Sequence, residues 1–198
     1  TSIVVGIEWD IAWHETIGRD TFWSPPHMVV YLGGIICGST CAYMALQQTF
    51  VNVNLYNRYV RFWGFKAPFA CWVCIWGAIA MLTSAPFDDW WHNAYGLDVE
   101  IISPPHLVLA AGFFAILLGT LLLLIAEKNL ANDKKKGFLE YLFMYSASLI
   151  VVQFSILLTE YSFANKQHTY EFYLFSLTIY SFLIIAFRTA AEHKYAAT

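Results

Sequence analysis

The stretch SPPHLVLAAGFFAILLGTLLLLIAEK, residues 103–128, decides the fold. Between His106 and Glu127 it carries no charged residue, and a membrane-crossing helix needs about 20 mostly apolar residues. Working outward, the same test is met over residues 25–47, 66–86, 138–159 and 170–187, alongside 104–126 itself, and residues 1–13 read as the tail of a sixth helix. The expected fold is therefore all-α: a polytopic transmembrane helix bundle of five full spans plus a partial N-terminal one. Composition agrees. Of 198 residues, 59% are hydrophobic and 13% charged, where a soluble domain carries about a quarter charged residues. The 8 Trp and 12 Tyr are residue types that collect at membrane interfaces, their rings joining an apolar body to a polar edge. A net charge of -3, with basic residues in short separate clusters, excludes nucleic acid as a partner and leaves the lipid bilayer. The chain opens at Thr1 without an initiator Met or a basic leader, so a preceding segment is expected to have been removed or to lie outside this sequence.

Loop charges orient the spans. Arg58, Arg61, Lys66, Lys128, Lys134, Lys135, Lys136, Arg188 and Lys194 fall on one side, and only Arg19 and Lys166 on the other. The positive-inside rule then puts the loops at 10–24 and 87–103 on the extracytoplasmic face of a cell (plasma or inner) membrane, with the C-terminus cytoplasmic. The Asn-Asp-Lys run at 132–136 reads as a cytoplasmic turn anchoring helix ends at anionic lipid. Cys37 with Cys41, and Cys71 with Cys74, fall inside apolar stretches. Their spacing fits soft-metal ligands, but cysteine is also a common small core residue, and packing is the reading taken for both pairs.

Residues 10–33 laid on 88–112 reveal a repeat. The first copy has Asp10, Trp13, His14, Gly18, Asp20, then Ser24, Pro25, Pro26, His27 and Gly33. The second has Asp88, Trp91, His92, Gly96, Asp98, then Ser103, Pro104, Pro105, His106 and Gly112, with one extra residue before its serine. In each copy a helix running outward ends in Asp-x3-His, a short loop follows, and Ser-Pro-Pro-His opens the returning helix. The copies are thus parallel helix-loop-helix repeats, dividing the chain into 1–48, 49–126 and a C-terminal helix pair at 127–198.

Residues i and i+4 share a helix face, so Asp10 with His14, and Asp88 with His92, can converge on one point. Proline belongs in a first helical turn and fixes where His27 and His106 project. One carboxylate and two imidazoles suit copper, zinc or non-haem iron, and three protein donors leave a coordination position free. The expected metal ligands are Asp10, His14, His27, Asp88, His92 and His106. Asp20 and Asp98 could accept the outer N–H of a ligating imidazole, or cap the following helix. His168 and His193 read as interface residues. No nucleophile, general base or organic-cofactor motif is visible.

At these residues the sequence resembles the C subunit of the copper-containing membrane monooxygenases, the particulate methane and ammonia monooxygenases. That family carries Asp-x3-His-x12-His around Arg-Asp-Thr, matched here by Asp10, His14, Arg19, Asp20, Thr21, Pro25 and His27. Its second site, Asn-x3-His-x13-His, corresponds to Asp88, His92, Asp98, Pro104 and His106, with Asp88 in place of the family's Asn. The resemblance covers about residues 8–126. It implies copper at one or both sites near the outer membrane face, further membrane subunits, and oxidation of a small apolar substrate with O2. The helices at 138–159 and 170–187 extend beyond that family's usual chain. A non-catalytic membrane copper-binding protein, or an accessory subunit of a respiratory membrane complex, is the alternative.

Overall fold

A computed structural model describes residues 1–18, 21–51, 56, 58–96 and 103–192. Six helices dominate them: α1 (Ser2–Thr16), α2 (Pro25–Leu46), α3 (Phe69–Tyr95), α4 (Pro104–Leu130), α5 (Asp133–Ile156) and α6 (Tyr170–Ala190). Two of them, α2 and α5, continue as wider π-type turns over Gln47–Val51 and Leu157–Ser162. Five helices, α2 to α6, are long and apolar enough to cross a membrane. Their large exposed residues, among them Leu32, Ile36, Leu118, Leu177 and Ile185, would be costly in water and at home against lipid tails. The chain forms two compact units, Thr1–Leu123 and Leu124–Thr198, dividing inside α4.

Every span runs beyond its sequence estimate, and for α3 this matters. The sequence reads the apolar span as 66–86, with the helix itself ending in the Asp-x3-His of Asp88 and His92; α3 runs through Pro86 to Tyr95. Proline removes one backbone hydrogen bond and usually kinks a helix without necessarily ending it. The continuation carries Asp88 and His92. Between α2 and α3, where only a loop was expected, a hairpin pairs β1 (Val60–Phe62) with β2 (Phe65–Ala67). Its two-residue turn has positive φ at both Trp63 (47°) and Gly64 (89°), the geometry that matches strand twist in tight hairpins.

Inside the first unit, α1 packs on α2 and α2 on α3. Small residues set the spacing. A methyl placed on Gly34 would lie 2.1 Å from Met81 Cε, and one on Gly38 would lie 2.8 Å from Ala78 Cβ, so α2 and α3 meet antiparallel in a fixed register. The repeat's last glycine has the same task in both copies. A Cβ on Gly33 would meet Ile3, seven residues before Asp10, and one on Gly112 would meet the backbone of Met81, seven residues before Asp88.

In the second unit, Lys128 is 3% exposed. Its ammonium lies 2.9 Å from Glu140 Oε2 and donates to the Ala190 carbonyl, also at 2.9 Å. Glu140 Oε1 accepts the Glu192 backbone N–H at 2.7 Å. Lys136 pairs with Glu192 at 3.0 Å. Two of the basic residues read as inner-face charges therefore have carboxylate partners, and Lys128 is buried among α4, α5 and α6.

Candidate metal centre

The motif's backbone residues act first. Gly18 and Gly96 close α1 and α3 with φ of 94° and 96°, a conformation glycine adopts without the strain a Cβ brings. Their N–H groups return to the helices, Gly18 to Trp13 O at 3.2 Å and Gly96 to His92 O at 3.0 Å. The returning helices open alike, with Met28 N–H bonding Ser24 O at 3.1 Å and Leu107 N–H bonding Ser103 O at 2.9 Å. The two prolines after each serine have no N–H to offer, so neither proline gives the serine hydroxyl a backbone donor to cap. Ser24 Oγ instead accepts from Thr21 N at 2.8 Å, and Ser103 Oγ lies 3.0 Å from His106 Nδ1.

Each carboxylate stands between its own two imidazoles. Asp10 Oδ1 is 3.2 Å from His27 Nε2, and Oδ2 is 3.9 Å from His14 Nε2. Asp88 Oδ1 is 3.6 Å from His106 Nε2, and Oδ2 is 3.4 Å from His92 Nε2. The structure thus brings together all six residues that the sequence singled out, in two sets. Asp20, Asp98 and His193 lie outside the described residues.

The far nitrogens of three rings are held from behind. His27 Nδ1 is 3.0 Å from the Thr21 carbonyl, His92 Nδ1 is 3.4 Å from the Gly96 carbonyl, and His106 Nδ1 meets Ser103. A carbonyl only accepts, so Nδ1 of His27 carries a proton and a neutral ring leaves Nε2 with its lone pair toward Asp10. Yet Asp10 Oδ1 and Asp88 Oδ1 are buried and accept no hydrogen bond among the described residues. The indole N–H groups of Trp13 and Trp91, one residue before each first histidine, are likewise buried and unpartnered. Buried polar atoms are rarely left so, and here the same two are unmet in both copies.

An ion held tetrahedrally by bonds of about 2.0–2.1 Å separates its donors by about 3.3 Å. Three of the four carboxylate–imidazole distances fall near that value. Neither Asp/His/His set has its three donor atoms all within 4.8 Å of one another; among the described residues, Cys37, Cys41 and Cys74 form the group that does. These thiols can bind a metal ion, and the packing reading of the sequence did not bring them together. Closing either Asp/His/His set requires one ring to turn inward; His14, with its side chain 51% exposed, has the room.

The sets share a level. From the Gly34–Met81 contact, two helical turns outward along each helix lead to His27 on α2 and Asp88 on α3. No family model, curated protein or solved structure matches the chain.

Proposed function

We propose that this chain is a membrane metal-binding subunit that holds one transition-metal ion at Asp10, His14 and His27 and a second at Asp88, His92 and His106. The observation that carries the reading is the face-to-face approach of His27 Nε2 and Asp10 Oδ1 at 3.2 Å, with the ring's proton committed to the Thr21 carbonyl. A lone pair and a carboxylate oxygen repel at that distance unless a cation lies between them or the ring is doubly protonated. That Asp10 Oδ1 accepts no hydrogen bond among the described residues weighs toward the cation.

Copper is the proposed ion, on the resemblance of both motif spacings to the copper monooxygenase C subunit; zinc and iron suit the same donors. With three protein donors, the ion would keep a position open for water, oxygen or substrate. The same resemblance supports partner membrane subunits, a small apolar substrate and O2, with the sites on the extracytoplasmic face. Metal bound stoichiometrically without turnover or partner subunits would favour the non-catalytic copper-binding alternative.

One observation favours a second, metal-free reading, in which each Asp pairs with two charged imidazoles and stitches its hairpin: the three donor atoms of a copy do not all lie within 4.8 Å of one another. Acidification separates the readings. Protons compete with a metal for imidazole nitrogen, so metal binding weakens as pH falls, whereas a His–Asp ion pair strengthens while the carboxylate stays ionised. Metal analysis of the purified chain between pH 5 and 8 tests this. Copper content rising with pH, and falling on His27→Ala, supports the proposal; no copper, zinc or iron at any pH removes it.

A further inference from the structure

Deeper along α2 and α3 lies a cluster of another chemical kind. Cys37 and Cys41, four residues apart on one face of α2, meet Cys74 on α3, and the three Sγ atoms lie within 4.8 Å of one another. Cys41 is 4% exposed and Cys74 1%. None of the four cysteines is in a disulfide. One turn on, Cys71 Sγ lies 4.0 Å from Met44 Sδ, so a fourth and a fifth sulfur border the trio. The remaining neighbours, Ala45, Ile75 and Leu123 among them, are apolar. The space for the Cys74 sulfur comes from Gly119 on α4, where a Cβ would stand 2.5 Å from it.

We infer that Cys37, Cys41 and Cys74 form a three-sulfur site for a soft monovalent ion, Cu(I). The inference does not rest on the Asp/His/His reading: on α2, Cys37 is ten residues inward of His27, about 15 Å along the helix. Thiolate and thioether donors select Cu(I), zinc and iron–sulfur clusters, and hard ions favour oxygen. Structural zinc is held almost always by four ligands in a tetrahedron; here three donors converge, and no imidazole or carboxylate is among them. A trigonal ion with bonds of about 2.3 Å sets its sulfurs about 4 Å apart, within reach of the present spacing by small side-chain rotations. Charge points the same way. Ionised groups at membrane depth are expensive, and a monovalent ion needs one thiolate for neutrality where a divalent ion needs two. Binding exchanges one thiol proton for a sulfur–metal bond and releases that proton to solvent, the other two sulfurs binding as neutral donors; no electron is transferred.

The test uses the full chain in detergent or lipid nanodiscs, loaded with Cu(I) under anaerobic conditions against a chromophoric Cu(I) chelator. The wild-type chain is expected to withhold about one equivalent from the chelator, with copper–sulfur scattering at about 2.2–2.3 Å in X-ray absorption. That equivalent should persist in a chain carrying His14→Ala, His27→Ala, His92→Ala and His106→Ala, and disappear in Cys74→Ala. Cys37, only partly buried, supplies the second variant: Cys37→Ala leaves the tightest packing intact and should also release the ion. Surrender of all Cu(I) by the wild type, retention undiminished in both cysteine variants, or scattering without sulfur would each overturn the inference.

Discussion

Two polar constellations of this chain are built from charged groups, and they differ in how completely those groups are satisfied. In the second unit, Lys128 and Glu140 are both buried; the ammonium has a carboxylate, a carbonyl and the face of Phe143 at 5.0 Å, and both carboxylate oxygens of Glu140 are engaged. In the first unit, Asp10 and Asp88 each keep a buried oxygen that accepts nothing among the described residues, beside a buried indole N–H in the same condition. A closed network of the first kind ties helices together. An open one, repeated at matched positions, accords with the proposed metal sites.

The largest expected effect breaks the closed network. Lys128→Met should cost about 3–5 kcal/mol of stability, because it leaves the Glu140 charge buried and uncompensated. It should leave metal content unchanged. Thermal unfolding in nanodiscs reads the loss, and adding Glu140→Leu should restore much of it.

The next effect separates the two open sites. Ser103 holds the His106 ring directly, whereas His27 is held by a backbone carbonyl that no side-chain substitution deletes. Ser103→Ala should therefore lower metal affinity at the second site by about 10- to 100-fold, and Ser24→Ala should change the first site far less. Competition titrations against a chelator measure both; equal effects would contradict the assignment of roles.

A smaller effect concerns the glycines that space the helices. A methyl on Gly112 meets backbone, Met81 N at 2.7 Å and Gly77 O at 2.8 Å, while one on Gly33 first meets the Ile3 side chain. Backbone cannot give way as a side chain can, so Gly112→Ala should cost about 1–3 kcal/mol and Gly33→Ala less. The smallest shift should come from Asp10→Ala without metal. Removing a buried acceptor that has no donor among the described residues should leave the melting temperature of the metal-free chain unchanged or slightly raised, in contrast to Lys128→Met.

The helices were legible because hydropathy and length are local properties, and the two motif sets because a repeat marks its members wherever they fold. Each motif glycine, Gly18 and Gly96 at helix ends and Gly33 and Gly112 at helix contacts, has a backbone or packing reason visible only in three dimensions. The three-thiol group was not legible. The spacing of Cys37 and Cys41 puts them on one face, but which α3 cysteine reaches them depends on the register of α2 against α3, set by the Gly34–Met81 and Gly38–Ala78 contacts. The partner of Lys128 was not legible for a related reason. A basic residue after an apolar run counts as a loop charge, and sequence alone does not show which distant acidic residue, here Glu140, is folded against it.

The most direct test of the two open sites is electron paramagnetic resonance of the purified full chain titrated with Cu(II). The proposed function predicts nitrogen couplings from imidazole at two copper equivalents, one lost in Asp10→Ala with His27→Ala and the other in Asp88→Ala with His106→Ala. Copper that binds without nitrogen coupling, or a spectrum unchanged in both double variants, would contradict it.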